Sequence, residues 1–269
     1  MRLNKEIGEE FSKFCGLLED KTPFAFTRYS DGEVAIIKNE ELKLAEDHNI
    51  FRGQKSPASY TREDRKHFIP SEHQHVRRLL IDSFTHSQLN YLKGISTQLD
   101  CPKEDFQLQM SLLEGENPDN ITFANLLVNK NYPLFMEYVV NNILRNEKRK
   151  ILLVANERSI LSALPFTIDT FIPVGDNCIV NGLDTIDIVL NKVTNSNDYI
   201  VLTSASSLSA LIIHKCFKEK SNITYINIGS TLNPILGFGV QRPYMNSVFQ
   251  PQQMWNHTVY ELLTRNEYL

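Results

Sequence analysis

The sequence predicts an α/β fold, a mainly parallel sheet flanked by helices, in a single domain over residues 1–269. Three observations predict it. The second half holds short apolar runs rich in β-branched residues, none of those runs alternates strictly between apolar and polar, and stretches with helical spacing separate them. Strands buried on both faces read as continuous apolar runs, and their alternation with helices is the pattern of a covered parallel sheet.

Taken along the chain, an amphipathic helix is expected near 4–18, then the strand "FAFTRY" and a helix from about 32, opened by "RYSDGE". Residues 46–75 are polar, with prolines, a glycine and many charges, and predict surface loops and short helices bordering a site. Helices are expected over 72–92, 102–113 and 132–147. The four clearest strands follow: "KILLVAN" (150–156), "TFIPVG" (170–175), "DYIVLTS" (198–204) and "ITYINIGS" (223–230). A helix over 183–193 fits between the second and third. Between the last two, Leu208, Leu211, Ile212 and Cys216 keep helical spacing, with Ser206 or Ser207 as N-cap. Residues 145–150 ("RNEKRK") are the point where two halves would join. There is no internal repeat.

Bulk properties exclude several classes. A net charge of −4, with both signs mixed along the chain, gives no footprint for nucleic acid. No run of about 18 apolar residues suggests a transmembrane segment, and the first residues lack a signal-peptide core, so a cytoplasmic protein is expected. Cys15, Cys101, Cys178 and Cys216 are scattered and read as reduced structural thiols. The glycine-rich dinucleotide fingerprint, the P-loop and the G-x-S-x-G elbow are all missing. His73 and His75 diverge on a helix and read as a solvated face, and no zinc spacing occurs.

In an open parallel sheet, ligands bind beyond the carboxyl ends of the strands, where helix N-termini and free amides point. The first strand delivers Arg28, Ser30, Asp31 and Glu33 there; "KILLVAN" delivers Asn156 and Glu157; "TFIPVG" delivers Asp176 and Asn177. The later strands deliver Ser204 and Ser206, then Asn227, Gly229 and Ser230. This set suits a ligand with phosphates, hydroxyls and a bound cation. "RYSDGE" itself has two readings. Ser30-x-x-Glu33 ahead of apolar residues is a capping box, which needs no function. Asp31 and Glu33 around Gly32 are also a sparse acidic pair of the kind that holds Mg²⁺ or Mn²⁺ beside phosphate oxygens. In a regular helix the two lie about 200° apart, so direct sharing of one ion requires the chain to be non-helical at Asp31.

"FTRYSDGE" resembles the R-[FY]-[GS]-D-G-E signature of the GT-D-type glycosyltransferases, and "ITFANLLVNKNYPLF", "KILLVANE", "YIVLTSASSLSALII" and "TYINIGSTLNPIL" resemble later segments of that family in the same order. The resemblance spans most of the chain. It implies a Rossmann-like GT-D fold and transfer of a hexose from a UDP-sugar to a glycan, glycoconjugate or other hydroxyl acceptor. It makes Asp31 and Glu33 the metal-binding D-x-E pair, with Mn²⁺ or Mg²⁺ as cofactor. Arg28, Asn156, Ser204, Ser206, Gly229 and Ser230 are then the expected substrate contacts, and Glu157 and Asp176 are candidates for catalytic base by position. A homo-oligomer is compatible with this reading. The chain departs from the pattern with serine at 30, with Ser204-Ala205-Ser206 where a glycine turn is usual, and with Asn227 and Asn233 where acids are usual. The same carboxylates would also serve a metal-dependent phosphohydrolase or nucleotidyl-transfer enzyme, and the same pocket a non-catalytic nucleotide-sugar-binding protein.

Overall fold

The structure, a computed structural model, describes residues 3–57, 65–253 and 257–269. Its elements are α1 (Ile7–Glu19), β1 (Ala25–Tyr29), α2 (Asp31–Ile37), β2 (Leu42–Leu44), β3 (His48–Phe51), β4 (Gln54–Pro57), β5 (Lys66–Phe68), α3 (Gln74–Thr85), β6 (Tyr91–Ile95), α4 (Lys103–Leu112) and β7 (Ile121–Phe123). A helical stretch follows, α5 (Tyr132–Leu134) running into a π-helical segment, Phe135–Ile143. The second half holds β8 (Lys150–Asn156), β9 (Thr170–Val174), α6 (Cys178–Asn181), α7 (Thr185–Lys192), β10 (Tyr199–Ser204), α8 (Leu208–Glu219), β11 (Thr224–Asn227), α9 (Asn246–Phe249) and α10 (His257–Thr264).

Seven strands form one sheet in the order β7-β6-β1-β11-β10-β8-β9. Every pairing in it is parallel, as the apolar runs predict. β7, β6 and β1 come from before 145–150 and β11, β10, β8 and β9 from after it, and the two sets join into one sheet at β1 and β11, so its core belongs to both halves. β1 shows why. Ala25 and Tyr29 face a core shared with α2, α3, α7 and α8, whereas Phe24 and Phe26 face the opposite core with α1 and the 132–144 stretch. Residues alternate across a strand, and here both faces need apolar side chains. α1 covers its face with Ile7, Phe11, Phe14 and Leu18, one stripe at helical spacing, and Glu6 caps it by accepting from the amides of Gly8 and Glu9. The chain ends meet beside it: Lys5 N–H donates to the Leu269 carbonyl and Leu269 N–H to that of Lys5, each at 3.1 Å.

Two regions differ from the sequence reading. The expected helix 72–92 ends at Thr85, and β6 follows after a turn with Asn90 in the left-handed region. β6 escapes notice because its centre is Lys93-Gly94. Gly94 is required there, since a Cβ would meet the Phe123 carbonyl of β7 at 2.8 Å. Lys93 is fully buried and pairs with Glu116, which also accepts from Ser87 and Asn120. Burial pushes Glu116 upward, but these hydrogen bonds outweigh it and hold the carboxyl below its usual range. The second difference is 46–75, where loops and short helices were expected. Its described part contributes to a four-stranded antiparallel sheet, β4-β3-β2-β5; residues 58–64 of the expected loop lie outside the described residues. β4 is exposed throughout, so no apolar period marks this accessory sheet.

Glu116→Ala would leave the Lys93 ammonium buried without its counter-charge. Loss of one partner of a buried pair costs about 3–5 kcal/mol. An unfolding free energy lowered by that amount, read as a lower urea midpoint at unchanged m, is expected, and the double variant Lys93→Met/Glu116→Leu should recover most of it.

Candidate functional site

Adjacent strands β10 and β8 send the chain in opposite directions, to β11 and β9, and open a crevice at their carboxyl ends. A cavity of about 180 Å³ lies along this edge and reaches across to β1. All six residues expected to contact substrate line it: Arg28, Asn156, Ser204, Ser206, Gly229 and Ser230. Three crevice turns each use a left-handed residue, Asn177 (φ 51°) after β9, Ser206 (φ 49°) after β10 and Gly229 (φ 52°) after β11. For the two non-glycine residues this conformation costs energy and recurs at functional loops.

Arg28 is the floor of the site. Its Nε donates to the Ala124 carbonyl at 2.7 Å, and its guanidinium lies against the backbone of Gly229, where a Cβ would collide with Nη1. Burial lowers its pKa, opposed by Tyr244, Glu33 and Asp31. Ser204 Oγ donates to the Gly229 carbonyl at 2.6 Å, and Gly229 N–H donates to Asn227 Oδ1 at 3.0 Å, so the β10 and β11 turns are tied together.

The question of Asp31 and Glu33 resolves into two different environments. Ser30 is extended and the helix begins at Asp31, so the non-helical geometry that direct sharing of one ion requires does not occur. Glu33 makes its limb of the capping box, Oε2 accepting from Ser30 N–H at 3.0 Å, and Oε1 accepts from the Ser207 hydroxyl at 2.5 Å. Ser207 is the N-cap residue of α8 by position, yet its hydroxyl goes to Glu33. Glu33 therefore lines the cavity as a doubly held carboxylate. Asp31 is exposed and opens into an adjoining cleft of about 330 Å³ that shares Arg28, Ser30, Ser230 and Arg242 with the first. Together the two fall in the ~300–1,000 Å³ range of small-ligand sites.

The proposed bases lie apart. Asp176 takes a two-point ion pair from Arg158, at 2.7 and 3.3 Å, in a small pocket next to the cavity. Glu157 is exposed and does not line the cavity. Conversely, Lys66, Phe238 and Arg242 line the cavity without having been expected there. Arg242 follows a loop with glycines at positive φ, Gly237 and Gly239, a turn signal that could have drawn attention to it. Lys66 had no such signal. Among the described residues no cluster of three or more His, Cys, Asp or Glu side chains has a metal-binding arrangement.

Arg265 and Glu267 pair with two residues that line the second cleft, Asp100 and Asn125. Glu267 accepts from Arg265 at 3.1 Å and from Asn125 at 3.4 Å. Burial and the neighbouring Asp100 carboxylate raise Glu267 to about 7, against the pull of Arg265.

With this geometry in place, likeness to known proteins can be stated. No protein-family model matches the chain, and no curated protein does. Solved structures do. One, described as a new glycosyltransferase (DUF1792) from Streptococcus sanguinis, aligns with TM-score 0.53 at 9% identity over 91% of this chain and 83% of that one. The fold is that of a described glycosyltransferase. A selenomethionine-substituted structure of domain of unknown function 1792 aligns with TM-score 0.50 at 10% identity, over 82% of this chain and 77% of that one. At such identity the glycosyltransferase-type likeness establishes architecture, the mainly parallel sheet flanked by helices. Among the described residues no helix is long and apolar enough to cross a membrane.

Two outcomes are expected. Gly229→Ala places a Cβ both in the left-handed region and on Arg28, so a stability loss beyond the ~1–2 kcal/mol of the conformation alone is expected in thermal melts. For Glu267, the raised acid binds its proton more tightly in the folded chain. Its contribution is complete at low pH and is lost as pH rises from about 4.5 through about 7. Glu267→Gln should therefore flatten the fall in Tm between pH 5 and 8.

Proposed function

We propose that this protein is a glycosyltransferase that moves a hexose from a nucleotide-sugar, a UDP-sugar, to a hydroxyl of a glycan or glycoconjugate. One observation carries the reading. Arg28 is a half-buried cation at the boundary of two polar clefts on the carboxyl edge of a parallel sheet, so one guanidinium faces both compartments. Donor and acceptor need two adjoining compartments, and the charge that develops on breaking the sugar–phosphate bond falls between them. The first cavity suits the donor, with Arg28 and Arg242 for phosphate oxygens, Phe238 as an aromatic wall and Asn156, Asn227 and Asn233 as amide partners for hydroxyls or base edges. The second cleft, with Asp31, Asp100, Asn125 and Asn129, suits the hydroxyl-rich acceptor.

In this mechanism the bond from the anomeric carbon to the diphosphate oxygen breaks, a bond to the acceptor oxygen forms, and the acceptor's proton passes to bulk solvent through the open cleft. The nucleoside diphosphate departs with the negative charge, stabilised by fixed donors that do not reorganise. Arg28 holds that charge at the boundary of the clefts. The carboxylates fit a hard divalent cation in one respect: Glu33 accepts a single hydrogen bond on each oxygen, which leaves acceptor capacity on both and orients them. Glu33 and Asp31 are the residues that would hold Mn²⁺ or Mg²⁺, which would supply neutralisation of the diphosphate. Asp176 and Glu157 take no part in this account.

A thermal-shift panel of UDP, GDP and their sugars, with and without Mn²⁺, tests the reading. A ligand that binds only the folded chain at about 100 times its Kd adds ~2.7 kcal/mol. A UDP-sugar shift that needs Mn²⁺ and disappears in both Asp31→Asn and Glu33→Gln is expected. Donor hydrolysis that proceeds equally without acceptor would mark a phosphohydrolase instead, and binding with no turnover a sensor.

A further inference from the structure

The accessory antiparallel sheet carries one side chain into the donor cavity, and the way it is held is specific. Asn177, at the β9 turn, grips the backbone on both sides of Lys66: its N–H donates to the Arg65 carbonyl at 2.6 Å, its Oδ1 accepts from His67 N–H at 3.0 Å, and its Nδ2 donates to the His67 carbonyl at 3.4 Å. Side chains alternate along a strand, so clamping 65 and 67 from one side fixes the direction of 66. Lys66 Nζ then donates to Ser206 Oγ at 2.9 Å and rests against Gly32 at the start of α2, 3.5 Å from where a Cβ would stand. Its two clamping points, Asn177 and Ser206, are the two non-glycine residues of the crevice held in left-handed backbone.

The charges give this placement a meaning. Lys66 joins Arg28 and Arg242 on the wall of one small cavity, where Glu33 is the acid among the lining residues. Like charges brought together in a partly desolvated space repel one another. A dianionic group between them turns that repulsion into attraction. We propose that Lys66 is a diphosphate ligand, delivered by the accessory sheet to close the donor cavity over a pyrophosphate group. The inference rests on the nucleotide-sugar reading for its substrate but on the cation cluster for its chemistry. Lys66 is a binding and positioning residue here, as a point charge whose partner is phosphate oxygen.

Calorimetric titration of inorganic pyrophosphate, UDP and uridine into the wild-type chain, Lys66→Gln and Lys66→Arg, in Mg²⁺ and again in EDTA, tests it, with melts to confirm that each variant is folded. Loss of one charge-assisted hydrogen bond corresponds to a weakening of about 10- to 100-fold. That weakening is expected for pyrophosphate and UDP in Lys66→Gln, with uridine unchanged and most of the affinity restored in Lys66→Arg. Equal pyrophosphate affinity in the wild type and a folded Lys66→Gln overturns the proposal, as does a wild type that binds pyrophosphate in neither condition. If pyrophosphate binding depends on Lys66 while UDP binds no tighter than pyrophosphate, the lysine assignment stands and the uridine-nucleotide reading falls.

Discussion

The parallel pairing of β1 with β11 is the constraint on which the rest of the molecule depends. It sets Ala25 opposite Tyr225 and Phe26 opposite Ile226, and so brings a strand from the start of the chain beside one from near its end. Beyond the last pair, β1 continues to Tyr29 and β11 to Asn227, so both carboxyl ends open on the same edge of the sheet. Arg28 can then lie on Gly229, with Ser204 closing over the same turn. Slipping a strand by one residue exchanges its two faces. Here it would turn Phe26 and Tyr29 to the wrong cores and aim Arg28 away from the cavity. Packing and site geometry are fixed by the same register.

Much of this was legible in the sequence, and the exceptions share a cause. "KILLVAN" is β8 from first residue to last, because a strand buried on both faces has to be apolar at nearly every position. Nine of the residues placed at strand ends from the sequence likewise line the cavity, since only topology is needed to know which end of a strand faces a ligand. β6 was hidden by a lysine whose counter-charge, Glu116, lies 23 residues away. The accessory sheet was hidden because it has no buried face long enough to show a period. The fate of Glu33 depended on Ser207, which is 174 residues distant, and that of Lys66 on Asn177. Local pattern reports burial well; it is blind to pairings between polar groups far apart in the chain.

Electrostatically the site runs against the molecule. The chain carries a net charge of −4, yet Arg28, Lys66 and Arg242 meet around one cavity with Glu33 among them. Field lines converge in a cleft where one sign of charge prevails, which raises the local concentration of an anionic ligand there. Glu33 moderates this without leaving its structural post, since its two hydrogen bonds join the starts of α2 and α8.

The mutual hydrogen bonds of Lys5 and Leu269 bear on how such a chain is made. On the ribosome, α1 and β1 are made long before β11 and the segment that meets Lys5. Until β11 follows, β1 has one strand edge unpaired and α1 an apolar stripe without its full cover. Contacts of such long sequence separation form slowly, and exposed edges of this kind favour aggregation. The sheet, and with it the cavity floor at Arg28, therefore cannot be completed until β11 has been made, and a nascent chain arrested before β11 carries no assembled site.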